Sequence, residues 1–309
     1  MISKDVDSHI VVSISCITYN HAPYIRQCLD GFLMQKTNFA IEVLIHDDAS
    51  TDGTTEIIKE YEAKYPDIIK PIYEEENQWV KGRRGSAVFN FPRAKGKYIA
   101  LCEGDDYWTD PLKLQRQVDF LEENQDYVLT SHYYIQYFQE LQRYGDILPS
   151  QLKGNIIYNL QDFISYKCWY TQPLTTVFRR SALNLEHYSK FNCSKDVTLF
   201  YLLLKEGKGL LMDDVMGCYR INKTGVWSSV GRQDRIIADL QCLKGIYDVE
   251  ETDDSLSYIY NYLIRTGYLG ISFFRRSLSL YISIISIMLK WNTIKALKVL
   301  IATSNFFRR

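Results

Sequence analysis

Several familiar signals are missing from this chain of 309 residues, and each absence narrows what it can do. Its seven cysteines include no Cys-x-x-Cys pair. Scattered and odd in number, they argue against a disulfide framework or zinc site and for a reducing compartment. The net charge is −1, so no global field calls for nucleic acid as a partner. No Gly-x-Gly-x-x-Gly follows the first apolar run and no Gly-x-x-x-x-Gly-Lys-Ser/Thr occurs, which sets aside Rossmann dehydrogenases and P-loop NTPases. Residues 1–5 lack the charged-then-apolar opening of an export signal. There is no internal repeat and no low-complexity linker. The apolar run at 278–289 is interrupted by serines and too short to span a bilayer.

Acid is concentrated at one point. After Lys97 a continuous apolar stretch ends in Glu103, Asp105 and Asp106, three carboxylates within four residues, with Gly104 among them and Tyr107-Trp108 following. Such a run reads as a strand buried on both faces, typical of a parallel sheet. Carboxylates this close repel one another, and a bound cation relieves that repulsion. The plainer alternative is a solvated acidic turn before a helix N-cap. The 24 tyrosines suit sugar-stacking surfaces and packed cores equally well.

The first half alternates strands and helices. Residues 10–17 form a β-branched strand ended by Tyr19-Asn20-His21, and Pro23 opens a helix with Ile25, Leu29, Phe32 and Leu33 on one face. Residues 41–45 make a second strand, which runs into Asp47-Asp48 and a cap-rich turn before a helix carrying Ile57, Ile58 and Tyr61 inward. Further strands fall at 68–73 and 98–102, and Asp110-Pro111 starts a helix that buries Leu114, Val118 and Leu121. This spacing predicts an α/β fold, a right-handed, mostly parallel, Rossmann-like sheet flanked by helices. Parallel strands end at one edge, so Asp47 and Asp48 can converge there with Glu103, Asp105 and Asp106. A nucleotide fits such a cleft if Asp48 accepts from the base or ribose and Asp105 helps hold a cation against the diphosphate. An Asx-type turn is the alternative for Asp47 and Asp48.

Three motifs, in order, resemble family 2 glycosyltransferases of the GT-A fold, which are mostly inverting and use nucleotide sugars. They are Val12 to Asn20, the Asp47-Asp48-Ala49-Ser50-Thr51-Asp52-Gly53-Thr54 turn, and Gly96 to Ala100 with Glu103 to Trp108. The resemblance covers roughly residues 10–130 and extends more weakly to about 230. It implies that Thr18, Tyr19 and Asn20 lie near the nucleotide and that Asp48 contacts the base. It also implies that Glu103-Gly104-Asp105, with Asp106, stands where the family has its Asp-x-Asp metal motif. Here a glutamate replaces the first aspartate, keeping the charge on a longer arm.

Inverting transfer also needs a general base for the acceptor hydroxyl. Asp196, ahead of an apolar helical run, is similar to the family's acidic motif beside the acceptor site. Without the resemblance it reads as an ordinary helix N-terminal aspartate. Asp213 and Asp214 compete for the role but fit better as the end of a short strand at 209–212. Tyr219 to Ser228 resembles the loop after the family's last core strand. Asn222 stands where that loop often has histidine, and Arg220 or Lys223 either reaches the diphosphate or belongs to a solvated turn. Lys81, Arg83 and Arg84 either cover the donor phosphates or are simply solvated. Trp108, Trp169 and Gln172 are candidate acceptor contacts, with packing as the alternative.

From about Gln233 the pattern is helical. Basic residues (Arg275, Arg276, Lys290, Lys295, Lys298, Arg308, Arg309) flank its later apolar stretch, so residues 272–309 can lie in a membrane interface, pack on the core or form a dimer contact. The resulting expectation is a metal-dependent, inverting, hexosyltransferase-type enzyme that uses Mn2+ or Mg2+ and a nucleotide sugar, a UDP-sugar by preference. A GT-A domain would occupy 1–231, with 1–130 binding the donor and 131–231 forming the acceptor side. A helical extension would occupy 232–309. The acceptor would be a saccharide or lipid-linked saccharide of surface polysaccharide or lipopolysaccharide assembly. The enzyme would be cytoplasmic or at the inner face of the cell membrane. The rivals are a sugar nucleotidyltransferase and a catalytically inactive scaffold of the same fold.

Overall fold

The computed structural model describes residues 9–81, 85–165, 170–191, 195–222, 230–266, 280, 282–290 and 292. Its strands are β1 (Ile10–Thr18), β2 (Ala40–Asp47), β3 (Ile69–Tyr73), β4 (Tyr98–Leu101), β5 (Tyr107–Trp108), β6 (Tyr127–Phe138), β7 (Arg143–Leu148), β8 (Ile156–Tyr158), β9 (Val177–Arg179) and β10 (Lys208–Ile221). The helices are α1 (Ile25–Leu33), α2 (Thr54–Lys64), α3 (Ser86–Phe89), α4 (Lys113–Glu123), α5 (Leu160–Ile164), α6 (Leu185–Tyr188), α7 (Asp196–Lys205), α8 (Arg232–Glu250) and α9 (Asp253–Thr266).

All ten strands join one sheet in the order β3-β2-β1-β4-β9-β6-β10-β5, with β7 paired to β6 and β8 to β10. The block β3-β2-β1-β4 is parallel, as the strand–helix alternation predicts. Both faces of β1 are covered: Val12, Ile14 and Cys16 on one face share a core with Leu29 and Phe32 of α1 and with Leu114 and Val118 of α4, while Ser13 and Ser15 on the other are buried and bonded to Glu42 and Asn90. β9 then runs antiparallel to both β4 and β6, so the sheet is mixed.

β10 departs most from the sequence reading. It does not stop at Asp213-Asp214: its pairing with β6 shifts register between Met212 and Gly217, and the strand continues to Ile221. The two aspartates are exposed at this bulge, which lets acidic side chains sit inside a long strand. Tyr219 and Arg220, expected in a loop, are therefore strand residues.

The chain forms two compact units. The first holds the sheet and takes in Met1–Asn159, Trp169–Tyr188 and Leu202–Asn222; the second takes in Leu160–Cys168, Ser189–Tyr201 and Lys223–Arg309. The second unit has an aromatic core of its own: Phe163 meets Phe200 edge-on at 6.3 Å, and Tyr201 stacks on Tyr258 at 5.9 Å. Cys16, Cys28, Cys102 and Cys218 are free and buried, whereas Cys242 is disulfide-bonded, a bond the scattered cysteine spacing did not predict. Among the described residues no helix is long and apolar enough to cross a membrane.

Candidate active site

The last turn of β1 holds two loops side by side. The Asp48 N–H donates to the Thr18 carbonyl at 3.0 Å, and the Gly104 N–H donates to the Ile17 carbonyl at 3.0 Å. The Asp47–Asp48 turn and the acidic loop thus hang from consecutive peptides at the carboxyl edge of the parallel block. Only glycine fits at 104, because a Cβ there would come within 2.5 Å of Thr18 Oγ1 and 3.0 Å of His21 Nδ1.

The β1–α1 loop is stitched to the turn after β2. Asn20, at φ 54°, donates its N–H to Ser50 Oγ (2.9 Å) and accepts the Thr51 N–H on Oδ1 (2.8 Å). Asparagine is among the residues that tolerate this left-handed backbone. The His21 N–H reaches Thr54 Oγ1 at 2.8 Å, and Tyr19 is exposed. Asp47 accepts from the Ser50 N–H (3.2 Å) and from the Ser50 and Thr55 hydroxyls. Its carboxylate shapes the entry to α2, the turn-forming arrangement weighed against a binding role. Asp48 is buried and accepts main-chain N–H groups of Gln78 (2.6 Å) and Trp79 (3.2 Å), so it anchors the segment after β3.

In the acidic loop, Glu103 and Asp105 are half-buried. Asp105 Oδ2 accepts from Asn222 Nδ2 at 3.2 Å and lies 3.9 Å from His21 Nε2. Burial lowers the pKa of His21, with Asp105 opposing, so the ring is neutral at pH 7; its Nδ1 sits 3.1 Å from Thr18 Oγ1.

Asp106 differs from the expected cation ligand. It is 4% exposed and accepts the Arg220 N–H on Oδ1 at 2.8 Å; burial, then Asp105, hold its carboxyl well above the usual range. Arg220 also turns inward instead of toward the cleft. Its Nε donates to the Asp105 carbonyl (2.8 Å), its two Nη atoms donate to Gln139 Oε1 (2.5 Å) and Gln27 Oε1 (2.6 Å), and Tyr24, Tyr107 and Tyr137 surround it. Among the described residues no three His, Cys, Asp or Glu side chains converge as a ready-made metal site. With Asp106 withdrawn, Glu103 and Asp105 remain as hard oxygen donors. Two carboxylates completed by phosphate oxygens suit Mg2+ or Mn2+, so the residues present fit such a cation.

The acceptor candidates separate. Trp108 is a core residue, not pocket lining: it is 2% exposed, donates Nε1–H to the Leu174 carbonyl at 2.8 Å, meets Phe32 edge-on at 4.8 Å and lies 4.0 Å from the ammonium of buried Lys113. Gln172 is half-buried with Nε2 3.4 Å from the Tyr134 hydroxyl. Asp196 starts α7 with an exposed side chain, yet the protein around its carboxyl pushes the pKa up to about 6, with Lys195 opposing. Arg84 and Trp169 lie outside the described residues, as do Arg83 and most of 272–309. His21, Gln27 and Gln139 were not singled out from sequence. Of these only His21 had a signal, its place in the Tyr19-Asn20-His21 strand end.

Comparison with known proteins agrees with this geometry. The family profile described as Glycosyl transferase family 2 matches residues 13–185. A Mycobacterium tuberculosis protein named only as uncharacterized is 34% identical over 224 residues, which is 71% of this chain and 61% of that protein. The chain therefore spans less than two thirds of that relative's length. The Escherichia coli UDP-Glc:alpha-D-GlcNAc-diphosphoundecaprenol beta-1,3-glucosyltransferase WfaP is 35% identical over 126 residues, 41% of this chain and 47% of WfaP. Among solved structures, S. aureus TarS 1-349 in complex with UDP-GlcNAc superposes with a TM-score of 0.65 at 18% identity, covering 95% of this chain and 84% of TarS. At that identity the likeness establishes the fold, which is GT-A.

Proposed function

The chain belongs to glycosyl transferase family 2, and from that premise we propose that it moves a sugar from a UDP-sugar to a hydroxyl of a saccharide or lipid-linked saccharide. The observation that carries this reading is the suspension of Asp48 and Gly104 from consecutive carbonyls of β1. Both loops hang from one edge of the sheet, which supports a base-reading role for Asp48 and a cation-holding role for Glu103 and Asp105.

Asp48 reads the uracil or ribose edge, with Thr18, Tyr19 and Asn20 forming the wall beside it. Glu103 and Asp105 would hold Mg2+ or Mn2+, which would supply positive charge against the departing diphosphate. His21, neutral beside Asp105, adds no competing cation there. Asp196 takes the proton from the acceptor hydroxyl as its oxygen attacks the anomeric carbon, inverting the configuration. Residues 131–231 form the acceptor side and 232–309 a helical extension. WfaP, named for a UDP-glucose donor and a diphosphoundecaprenol-linked acceptor, supports a role in envelope polysaccharide assembly.

The test is hydrolysis and transfer with a panel of UDP-sugars. EDTA should abolish turnover, and Asp105→Ala should lower it by about 100-fold without recovery at high Mn2+, since several kcal/mol of charge stabilisation are lost. Undiminished turnover in EDTA and in Asp105→Ala would remove the metal from the reading.

A further inference from the structure

Arg220 is a buried cation bonded to the acidic loop's main chain, and its guanidinium donors are taken up by protein acceptors. Arg220 pairs with Tyr137 of β6 and is 7% exposed. Its main chain binds the Asp106 carboxyl and its Nε binds the Asp105 carbonyl, so one residue grips two successive positions of the loop. Gln27 of α1 and Gln139 beyond β6 take the fork's outer nitrogens. Ring centroids of Tyr24, Tyr107 and Tyr137 lie 4.8, 5.2 and 5.6 Å from the guanidinium carbon. Two residues on, Asn222 donates to the Asp105 carboxylate itself. The guanidinium is planar and fixed on several sides, a geometry lysine cannot copy.

We propose that Arg220 is a positioning residue: it fixes the Asp105 peptide so that the Asp105 carboxylate is presented to the cation, and it does not bind the diphosphate. This inference rests on the metal-dependent donor site proposed above. Charge neutralisation of the loop is a by-product; the working element is the rigid link between α1, the β4–β5 loop, the end of β6 and β10. Partners that orient a metal ligand affect metal affinity strongly, typically by tenfold or more.

The experiment is calorimetric titration of the full chain with UDP, once with Mn2+ and once with EDTA, comparing the two dissociation constants. In the wild type Mn2+ should tighten UDP binding. In Arg220→Lys that gain should shrink by about tenfold, while the constant in EDTA stays within about twofold of wild type. Gln27→Ala combined with Gln139→Ala, which leaves Arg220 in place, should shrink the same gain by a smaller factor, and it covers the case in which Arg220→Lys fails to fold. A gain preserved in both variants overturns the inference alone. Weaker UDP binding in EDTA, with the gain preserved, would make Arg220 a phosphate ligand and overturn it as well. A wild type with no Mn2+-dependent gain would sink the metal reading and this inference together.

Discussion

A general base for a hydroxyl works best when its pKa lies near the working pH. The Asp196 carboxyl, which desolvation by the surrounding protein pushes up to about 6, meets that condition. The raised value gives the sign: below about pH 6 the carboxyl is protonated and cannot accept the acceptor's proton, so turnover should climb with pH through that value and level off above it. Asp196→Asn should retain UDP affinity and lose transfer by at least about 100-fold. A pH profile flat between 5 and 7, or near-normal turnover in the variant, would move the base elsewhere. Legibility at this scale was uneven. The edge position of Asp48 and Asp105 was readable because each follows a largely apolar strand that had to end there. Asp106 was not, since its carboxyl turns inward to meet a peptide 114 positions later in the chain. That encounter exists only because β5 pairs antiparallel with β10, Trp108 opposite Gly217 and Tyr107 opposite Cys218. Nothing local in the acidic run records such a pairing.

The β4–β5 loop depends on one close approach between elements. Gly104 lies against Thr18 and His21 so tightly that a methyl group has no room: its nearest neighbours would be Thr18 Oγ1 at 2.5 Å and Thr18 Cβ at 2.8 Å. Gly104→Ala should push the loop off the end of β1, costing about 1–3 kcal/mol in thermal unfolding as overpacking does. It should weaken UDP binding in the presence of Mn2+ by more than its effect on folding explains; wild-type affinity would mean that the loop's seat on β1 is unimportant. Among the elements themselves, α1, α2 and α4 were readable from their apolar faces, and β1, β2 and β4 from short, largely apolar runs. The mixed part of the sheet was not. β5, β8 and β9 have two or three residues each, too few to show a period of two. In β10 the bulge at Asp213–Val215 breaks the apolar pattern where a reader would end the strand.

For the whole molecule, a net charge of −1 hides a strong asymmetry. Residues 272–309 carry seven basic side chains and no acidic one, alternating with leucine, isoleucine and phenylalanine. A lipid-linked acceptor would be met at a membrane surface, and basic residues near an anionic surface contribute about 1 kcal/mol each. Apolar residues between them add burial at the acyl boundary. The expected behaviour is sedimentation of the full chain with phosphatidylglycerol-containing vesicles and not with pure phosphatidylcholine, weakening at high salt as surface electrostatics are screened. Lys295→Glu combined with Lys298→Glu should reduce that binding without the disruption a truncation risks, and deletion of 272–309 should abolish it. Because the charge pattern and not the fold carries the argument, the salt series decides it. Sedimentation that ignores salt, lipid charge and the two glutamates would assign this stretch to packing or self-association instead.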